Sequence, residues 1–349
     1  MKWPEPHVRA WYWYAFAAEV FAACALAIFL PITLERMARE IGFAGPDYTQ
    51  PCSLTAPAPA GADGVVVDVD CRARILGRWV STDSFSMYVK STAVALQALG
   101  IISIGTLADS GYWRKRLLGT FAATGSLAAA LFLALPGTPH GWLPVVAALI
   151  TLVGNVCYAA SIVCANAFLP GLAREDPQVV AARDEAEAAE RAHDEGAAGE
   201  VRESVDEEAR ALLPDASGDA ASERATTRYA ALLSTTMSRL SSTGTAIGFF
   251  SGWAMLLLLL IPVTLGGGKT RSLELALGLC GLWWGVFSIP AIIGLPGGRK
   301  EDAPHHWLRR AWARVGGMVR PSEMRELPNL FTYLLAWVFL SDGELKEDK

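Results

Sequence analysis

The stretch Gly105-Thr106-Leu107-Ala108-Asp109-Ser110-Gly111-Tyr112-Trp113-Arg114-Lys115-Arg116 decides the fold, because it is a short basic turn between two apolar runs. The runs at 89–107 and 117–135 are each about long enough to cross a bilayer, since roughly 20 helical residues cover a 30 Å hydrocarbon core. A turn this short makes two spanning helices antiparallel neighbours. Its three consecutive cations predict that the turn faces the cytoplasm.

Composition also indicates a membrane protein. Of the 349 residues, 52% are hydrophobic and only 19% are charged, and the apolar residues come in runs that a soluble core does not need. The net charge of -5 comes mostly from one segment and gives no indication of a nucleic-acid partner.

Six apolar runs are predicted to span the membrane as helices, so the expected fold is an all-α membrane protein. The first run opens with the string WYWY at 11–14, which suits the membrane interface. A signal peptide is the competing interpretation, with Lys2 and Arg9 as its basic region, but the run is too long for one. The six runs lie at about 10–34, 85–107, 117–135, 142–169, 241–265 and 273–295.

The polar loop at 35–83 is predicted to lie on the opposite side from the basic turn, in an oxidising lumen. It carries Cys52 and Cys71, which are expected to form a disulfide there, and two free thiols are the alternative. The other four cysteines lie inside apolar runs, where Cys behaves as a small hydrophobe. No Cys/His spacing predicts a metal site, and no motif predicts a cofactor.

The composition changes abruptly after the first four helices, which occupy residues 1–173. Residues 174–240 are rich in acidic side chains and alanine and almost free of aromatics, which predicts a disordered cytoplasmic insert. The fifth helix then contains Gly244, Gly248 and Gly252. This double Gly-x-x-x-Gly pattern removes side chains along one stripe and predicts close helix packing.

The chain continues past the last two helices, at 241–296, with a basic linker at 297–327. Apolar residues at helical spacing beside three arginines predict an amphipathic helix on the membrane surface, and a partner-binding helix is the alternative. Residues 328–349 begin a seventh apolar run of about 21 Å, short of a full span, and end in a charged tail. Many membrane proteins built from spanning helices of this kind combine two six-helix repeats. We therefore expect that this chain holds one repeat and a truncated second one. The linker residues concerned are Trp307, Leu308, Ala311, Trp312, Val315, Arg309, Arg310 and Arg314.

The string GTLAD at 105–109, followed by a basic cluster, resembles the loop between the second and third helices of the major facilitator superfamily. In that family the loop latches the two halves of a transporter on the cytoplasmic face. The sequence departs from the pattern by carrying Tyr112 and Trp113 inside the loop, and a plain positive-inside loop with a helix-packing glycine is the alternative. The gating residues that the resemblance implies are Gly105, Asp109, Arg114, Lys115 and Arg116, with Gly105 allowing close helix approach.

Several strings together resemble the autophagy-related protein 22 family, a fungal branch of that superfamily. They are WYWYAFAAEVF at 11–21, IFLPITLE at 28–35, DSGYWRKRLL at 109–118, NAFLPGL at 166–172, SRLSSTGTAIG at 238–248 and LAWVFLSDG at 335–343. The resemblance implies a multi-pass protein of the vacuole membrane that exports amino acids to the cytosol during autophagy, by alternating access. Its fold would be the six-helix N-terminal half of a major facilitator, with the start of a seventh helix.

The resemblance also implies that the first and fourth helices of this half line a central cavity. Glu19 lies about 12 Å into the membrane, Gln97 at about 15 Å and Asn155 at about 21 Å, counted along their helices. A carboxylate at that depth is a functional candidate. We expect Glu19 to bind the substrate amino group or a coupled proton, and Asn155 and Gln97 to supply neutral hydrogen bonds. The alternative is that Glu19 only fixes helix packing.

Two classes of function remain open from the residues alone. One is a transporter whose partners are amino acids and the lipid bilayer, with a coupled proton as a further candidate; the other is a non-transporting half-bundle that acts as a scaffold or interaction protein. An enzyme is the weakest reading, since no Ser/His/Asp set, metal spacing or nucleotide loop is present. The positive-inside pattern predicts that the N-terminus, the basic turn, the insert and the linker face the cytosol. Three arginines of the lumenal loop oppose this topology, namely Arg72, Arg74 and Arg78.

Overall fold

The computed structural model describes residues 5–45, 47–52, 70–200, 216–299, 306–318 and 328–343. Within them the chain forms eleven α-helices and four short strands, with a π-helical segment at Phe21–Phe29 and a 3-10 turn at Leu131–Ala134. The helices are α1 (Pro6–Val20), α2 (Leu30–Glu40), α3 (Thr82–Ala108), α4 (Gly111–Ala130), α5 (Leu143–Asn166), α6 (Leu169–Arg174), α7 (Pro177–Glu200), α8 (Ala216–Leu265), α9 (Thr270–Gly294), α10 (Trp307–Met318) and α11 (Pro328–Gly343). The strands are β1 (Phe43–Ala44), β2 (Gln50–Pro51), β3 (Cys71–Ile75) and β4 (Arg78–Ser81).

Six helical segments of the described chain are long and apolar enough to cross a membrane, which confirms the predicted all-α membrane fold. The helix α11 lies where the seventh apolar run was predicted, and the charged tail after Gly343 is outside the described residues. The six segments are Pro6–Glu40, Thr82–Ala108, Gly111–Ala134, Leu143–Arg174, Ser222–Leu265 and Thr270–Gly294.

Contacts between distant residues identify the two ends of the bundle. At one end, Arg271 at the start of α9 donates a hydrogen bond of 2.9 Å to the carbonyl of Leu135, after α4. At the other end, Lys115 at the start of α4 donates a 2.6 Å hydrogen bond to the carbonyl of Leu295, after α9. We call the first the sheet end, because the four strands lie there, and the second the insert end, because α7 lies there.

We predict that the insert end faces the cytosol. Each span reverses the chain direction, so the start of α1, the basic turn before α4, and α7 all lie at this end. Its short loops concentrate lysine and arginine, which favours the cytosolic side. An epitope placed near Gly196 should therefore be digested by protease added to intact organelles, with an epitope in the loop 53–69 as the protected control. The orientation would be contradicted if the Gly196 epitope were protected while the control epitope was digested.

The acidic insert was predicted to be disordered, and this is wrong for the described residues, which form α7 and the first part of α8. Val179 and Ala182 are buried on α7, and an ion pair of 2.7 Å joins Arg228 of α8 to Glu185 of α7. Composition misled the prediction because the segment has few apolar residues. Its many alanines have high helix propensity, and a narrow apolar stripe is enough to attach α7 to an already anchored helix.

The polar loop at 35–83 also proves to be ordered over much of its length. The helix α2 continues to Glu40, and the strands form an antiparallel sheet in the order β2-β1-β3-β4. A disulfide joins Cys52 to Cys71, the pair that the sequence predicts. The apolar run at 65–69, which the sequence also singles out, lies outside the described residues.

Small residues bring α4, α5 and α9 into close contact beneath the first helix. A Cβ atom at Gly281 of α9 would lie 2.6 Å from the backbone nitrogen of Ala130, and one at Gly125 of α4 would overlap the ring of Trp284. The Trp284 side chain is fully buried and stacks on Phe21 at a centroid distance of 4.9 Å. This packing fixes the π-helical segment that follows α1 and, with it, the position of Glu19.

Candidate functional site

A cavity of about 210 Å³ lies between α1, α5 and α8, in the part of the bundle nearer the insert end. Its wall combines aromatic and aliphatic side chains with a few polar groups, as is usual for sites that hold small molecules. The polar groups are Tyr14 and Glu19 of α1, Tyr158 and Asn166 of α5, and Ser241 and Thr245 of α8.

Glu19 is the only acidic residue among the described lining residues of this cavity, and it is half-buried. It stands two residues before the π-helical segment Phe21–Phe29. A π-helix widens the turn and shifts the direction of the side chains that follow, and such segments occur often at functional sites. The wide segment here begins at the depth of the carboxylate.

The glycine stripe of α8 makes room for this part of α1. A Cβ atom at Gly248 would lie 2.9 Å from the Cβ of Glu19, and one at Gly252 would lie 3.1 Å from the Cβ of Ala23. A Cβ atom at Gly244 would overlap the ring of Trp11. The structure thus assigns to the predicted packing stripe a specific partner, which is the face of α1 that carries Glu19.

Hydrogen bonds secure the walls of the cavity on both sides of Glu19. The indole nitrogen of Trp11 donates to the carbonyl of Ala165 at 2.9 Å, which joins α1 to α5. The hydroxyl of Ser251 donates to the carbonyl of Phe16 at 2.9 Å, which joins α8 to α1. These bonds satisfy polar groups inside the bundle, where water cannot do so, and hold the three helices at fixed separation.

The structure does not bring Gln97 and Asn155 together with Glu19, contrary to the site predicted from the sequence. Gln97 lies on α3, which does not contribute to the described lining of the cavity. Asn155 lies closer to the sheet end than the lining residues of α5, and its amide nitrogen donates to the carbonyl of Thr151 at 3.1 Å. Depth along a helix, on which the prediction rested, does not determine the direction in which a side chain points.

Tyr158 and Asn166 line the cavity in the roles that were predicted for Gln97 and Asn155. With Ile162 between them, they recur every fourth residue of α5 and form one stripe that faces α1. A search of the fourth span for polar residues at that spacing would have found the pair. Ser241 and Thr245 repeat the spacing of four on α8.

The basic turn binds the ends of two helices. Arg114 donates hydrogen bonds to the carbonyls of Ala108, at 2.8 Å, and Asp109, at 2.9 Å, where α3 ends. Lys115 donates to the carbonyls of Ile293 and Leu295 at the end of α9, at 3.2 and 2.6 Å. Cations at helix C-termini satisfy unpaired carbonyls and interact favourably with the helix dipole.

The same turn also contacts α10 in the linker. Asp109 forms a 3.1 Å ion pair with Arg314, and Thr106 donates to the carbonyl of Trp307 at 3.3 Å. Both charged groups of the ion pair are largely exposed, so it contributes at most about 1 kcal/mol. Arg116 lies over the ring of Tyr112 at 5.5 Å, so the aromatic residues in this loop provide a surface for a cation.

The close approach predicted at Gly105 is absent, since no described atom outside its own helix lies within 4 Å of a Cβ placed there. The close contact is made instead by Gly111, where a Cβ atom would lie 3.4 Å from the Cα of Gly298. The linker therefore crosses the turn at its second glycine. The predicted position of α10 on the membrane surface remains a prediction; Ala311 is buried, and Leu308 and Trp312 are exposed.

No group of three or more His, Cys, Asp or Glu side chains in the described ranges is placed to hold a metal ion. The described chemistry of the cavity is that of one carboxylate with neutral hydroxyl and amide groups. Such a set binds a cationic group or a proton and orients it with hydrogen bonds.

Comparison with known proteins gives a consistent set of relatives. A family model described as vacuole effluxer Atg22 like matches residues 4–344. An autophagy-related protein 22 of Cryptococcus neoformans var. neoformans serotype D, strain JEC21, is 52% identical over 97% of the chain and 64% of its own length. A second, from strain B-3501A, is 45% identical over 97% of the chain and 63% of its own length.

A more distant relative, autophagy-related protein 22-1 of Penicillium rubens, is 36% identical over 96% of the chain and 60% of its own length. The chain thus spans less than two thirds of the length of these relatives. No solved structure matches the chain.

Proposed function

Because the chain belongs to the Atg22-like family of vacuole effluxers, we propose that it acts in the vacuole membrane, as part of a transporter that exports amino acids to the cytosol by alternating access. The observation that carries this proposal is the cavity between α1, α5 and α8, with Glu19 as its single described carboxylate. The names of the relatives associate them with autophagy, in which protein breakdown supplies free amino acids.

The cavity suits a small ligand with an amino group. Its volume of about 210 Å³ is below the 300–1,000 Å³ common for drug-sized ligands. A cavity of this smaller size suits a ligand as small as a single amino acid. Glu19 supplies a negative charge for an ammonium group, and charge-assisted hydrogen bonds of this kind are stronger than neutral ones. The hydroxyl groups of Ser241 and Thr245 and the amide of Asn166 supply donors for a carboxylate.

Alternating access needs contacts at each end of the bundle that open in turn. At the insert end, Lys115 joins α4 to the end of α9 and Asp109 joins the turn to α10. At the sheet end, Arg271 joins α9 to the segment after α4. We propose that the basic turn is the cytosolic gate, because its ion pair with α10 is exposed and weak and its contacts are shared between α9 and the linker.

Counterflow across a reconstituted membrane tests the proposal. Proteoliposomes holding the purified chain and loaded with unlabelled amino acids should take up an external radiolabelled amino acid faster than protein-free liposomes of the same lipid. The matched control is liposomes loaded with a sugar of similar concentration. Equal uptake in all three preparations would overturn the proposed transport activity for this chain.

A further inference from the structure

The hairpin formed by β3 and β4 at the sheet end carries exposed apolar side chains, one at its tip and one, Trp79, that contacts Phe43 and Tyr48 with part of its ring. Leu76, at its tip, is 84% exposed, and Trp79 is 49% exposed. Leu76 and Gly77 form the two-residue turn, and both have positive φ, at 51° and 80°. This turn favours asparagine followed by glycine, because a leucine side chain is strained at positive φ. Leu76 is therefore poorly suited to the turn, and it is buried by no described residue.

The same hairpin carries the three arginines that oppose the positive-inside pattern. Arg72 and Arg74 lie on its outer face, and Arg74 is directly opposite Trp79 across the strands. Arg72 pairs with Asp70 at 3.1 Å and lies over the ring of Tyr48. The ion pairs among the described residues give no carboxylate partner to Arg74 or Arg78, which are both exposed. The hairpin thus carries one exposed arginine on each face beside its apolar tip, since Arg74 is opposite Trp79 and Arg78 is opposite Ile75.

The length of α3 places this hairpin at the level of the lipid headgroups. The helix has 27 residues and is about 40 Å long, whereas the hydrocarbon core is about 30 Å thick and the whole bilayer about 40–45 Å. The strand β4 ends at Ser81, and α3 begins at the next residue, Thr82. The five residues from Ser81 back to Leu76 span about 16 Å in a strand, which brings the tip within reach of the membrane surface.

We propose that the β3–β4 hairpin docks on the lipid leaflet beside it, with Leu76 inserted below the headgroups and Arg74 and Arg78 bound to the phosphates of anionic phospholipids. An exposed leucine, a half-exposed tryptophan and arginines without a described carboxylate partner are three features that favour the membrane interface. The depth of Thr82 and the exposed apolar tip, Leu76, select lipid over an acidic protein segment. The docking also accounts for arginines on the side where the positive-inside pattern does not expect them.

Hydrogen exchange of the purified chain in nanodiscs tests this proposal. Backbone amides of the hairpin should exchange at least fivefold more slowly in discs that contain phosphatidylglycerol than in discs of phosphatidylcholine alone. The slowing should weaken in high salt, which screens charges at the headgroups. Amides of β1, in the same sheet but away from the tip, are the internal reference.

Two variants separate docking from a structural role. Leu76→Asn places in the turn the residue that it favours, so the hairpin should keep or gain thermal stability while the dependence on phosphatidylglycerol is lost. Arg74→Glu combined with Arg78→Glu should remove the same dependence through charge. Identical exchange of the unaltered chain in the two lipids would overturn the proposal. So would a Leu76→Asn chain that retains the full slowing.

Discussion

Gly248→Ala is expected to separate α8 from α1 and to lower the free energy of unfolding by about 1–3 kcal/mol, the usual cost of overpacking. A Cβ atom at this position lies 2.9 Å from the Cβ of Glu19 and 3.3 Å from the backbone oxygen of Ala15. The backbone oxygen cannot move without shifting α1, so the strain is not relieved by a change of rotamer. Thermal unfolding of the purified chain in detergent measures the loss.

The matched control is Gly105→Ala, at a glycine in another spanning helix where no described neighbour lies within 4 Å of the Cβ position. This change should leave stability unchanged or raise it by up to about 1 kcal/mol, because alanine costs less entropy in a helix than glycine. Equal losses at Gly105 and Gly248 would show that helix propensity, not contact with α1, governs the result. No loss at Gly248 would contradict the packing described here.

These two glycines also show how far the sequence predicts packing. The regular spacing of Gly244, Gly248 and Gly252 predicts a close contact, since only a helix neighbour explains a stripe without side chains. It does not identify the neighbour, because any of the other helices satisfies the same pattern. Gly105 matches a family motif equally well, yet no described atom outside its own helix lies within 4 Å of a Cβ placed there. A motif specifies residue types only. Whether a glycine in the motif makes a close contact depends on where its neighbours lie, and here the neighbour is the linker that follows α9.

Order in the acidic insert was not predictable from composition for a related reason. The segment has too few apolar residues to fold alone, but α7 packs against α8, and among its described side chains Val179 and Ala182 are buried there. The same holds for the cavity. Glu19 is recognisable in the sequence as a charge in an apolar run, whereas Tyr158 and Asn166 lie near it because α5 is rotated so that they face α1. That rotation is set by packing between helices, which a single sequence does not reveal.

Glu19→Gln is expected to weaken amino-acid binding by about 10- to 100-fold, which corresponds to the loss of roughly 1.5–3 kcal/mol from a hydrogen bond to a charged group. Glutamine has nearly the same volume and retains a carbonyl acceptor, so it removes the charge without altering the contact with Gly248. Equilibrium binding of radiolabelled amino acids to the purified chain in nanodiscs measures the change. Asn166→Ala, which removes a neutral partner, should weaken binding by only about 2- to 10-fold.

Thermal unfolding of the same preparations separates the two roles that the sequence leaves open for Glu19. If Glu19 fixes helix packing, the substitution disturbs its contact with a neighbouring helix and lowers thermal stability. If Glu19 binds the substrate through its charge, the substitution lowers affinity and leaves stability unchanged. The control Glu190→Gln makes the same exchange on the exposed face of α7, outside the spanning segments, and should change neither quantity. Unchanged affinity in Glu19→Gln, or weaker binding that follows only from unfolded protein, would make Glu19 structural. The cavity would then need another group to hold the amino group, and no other acidic residue lines its described part.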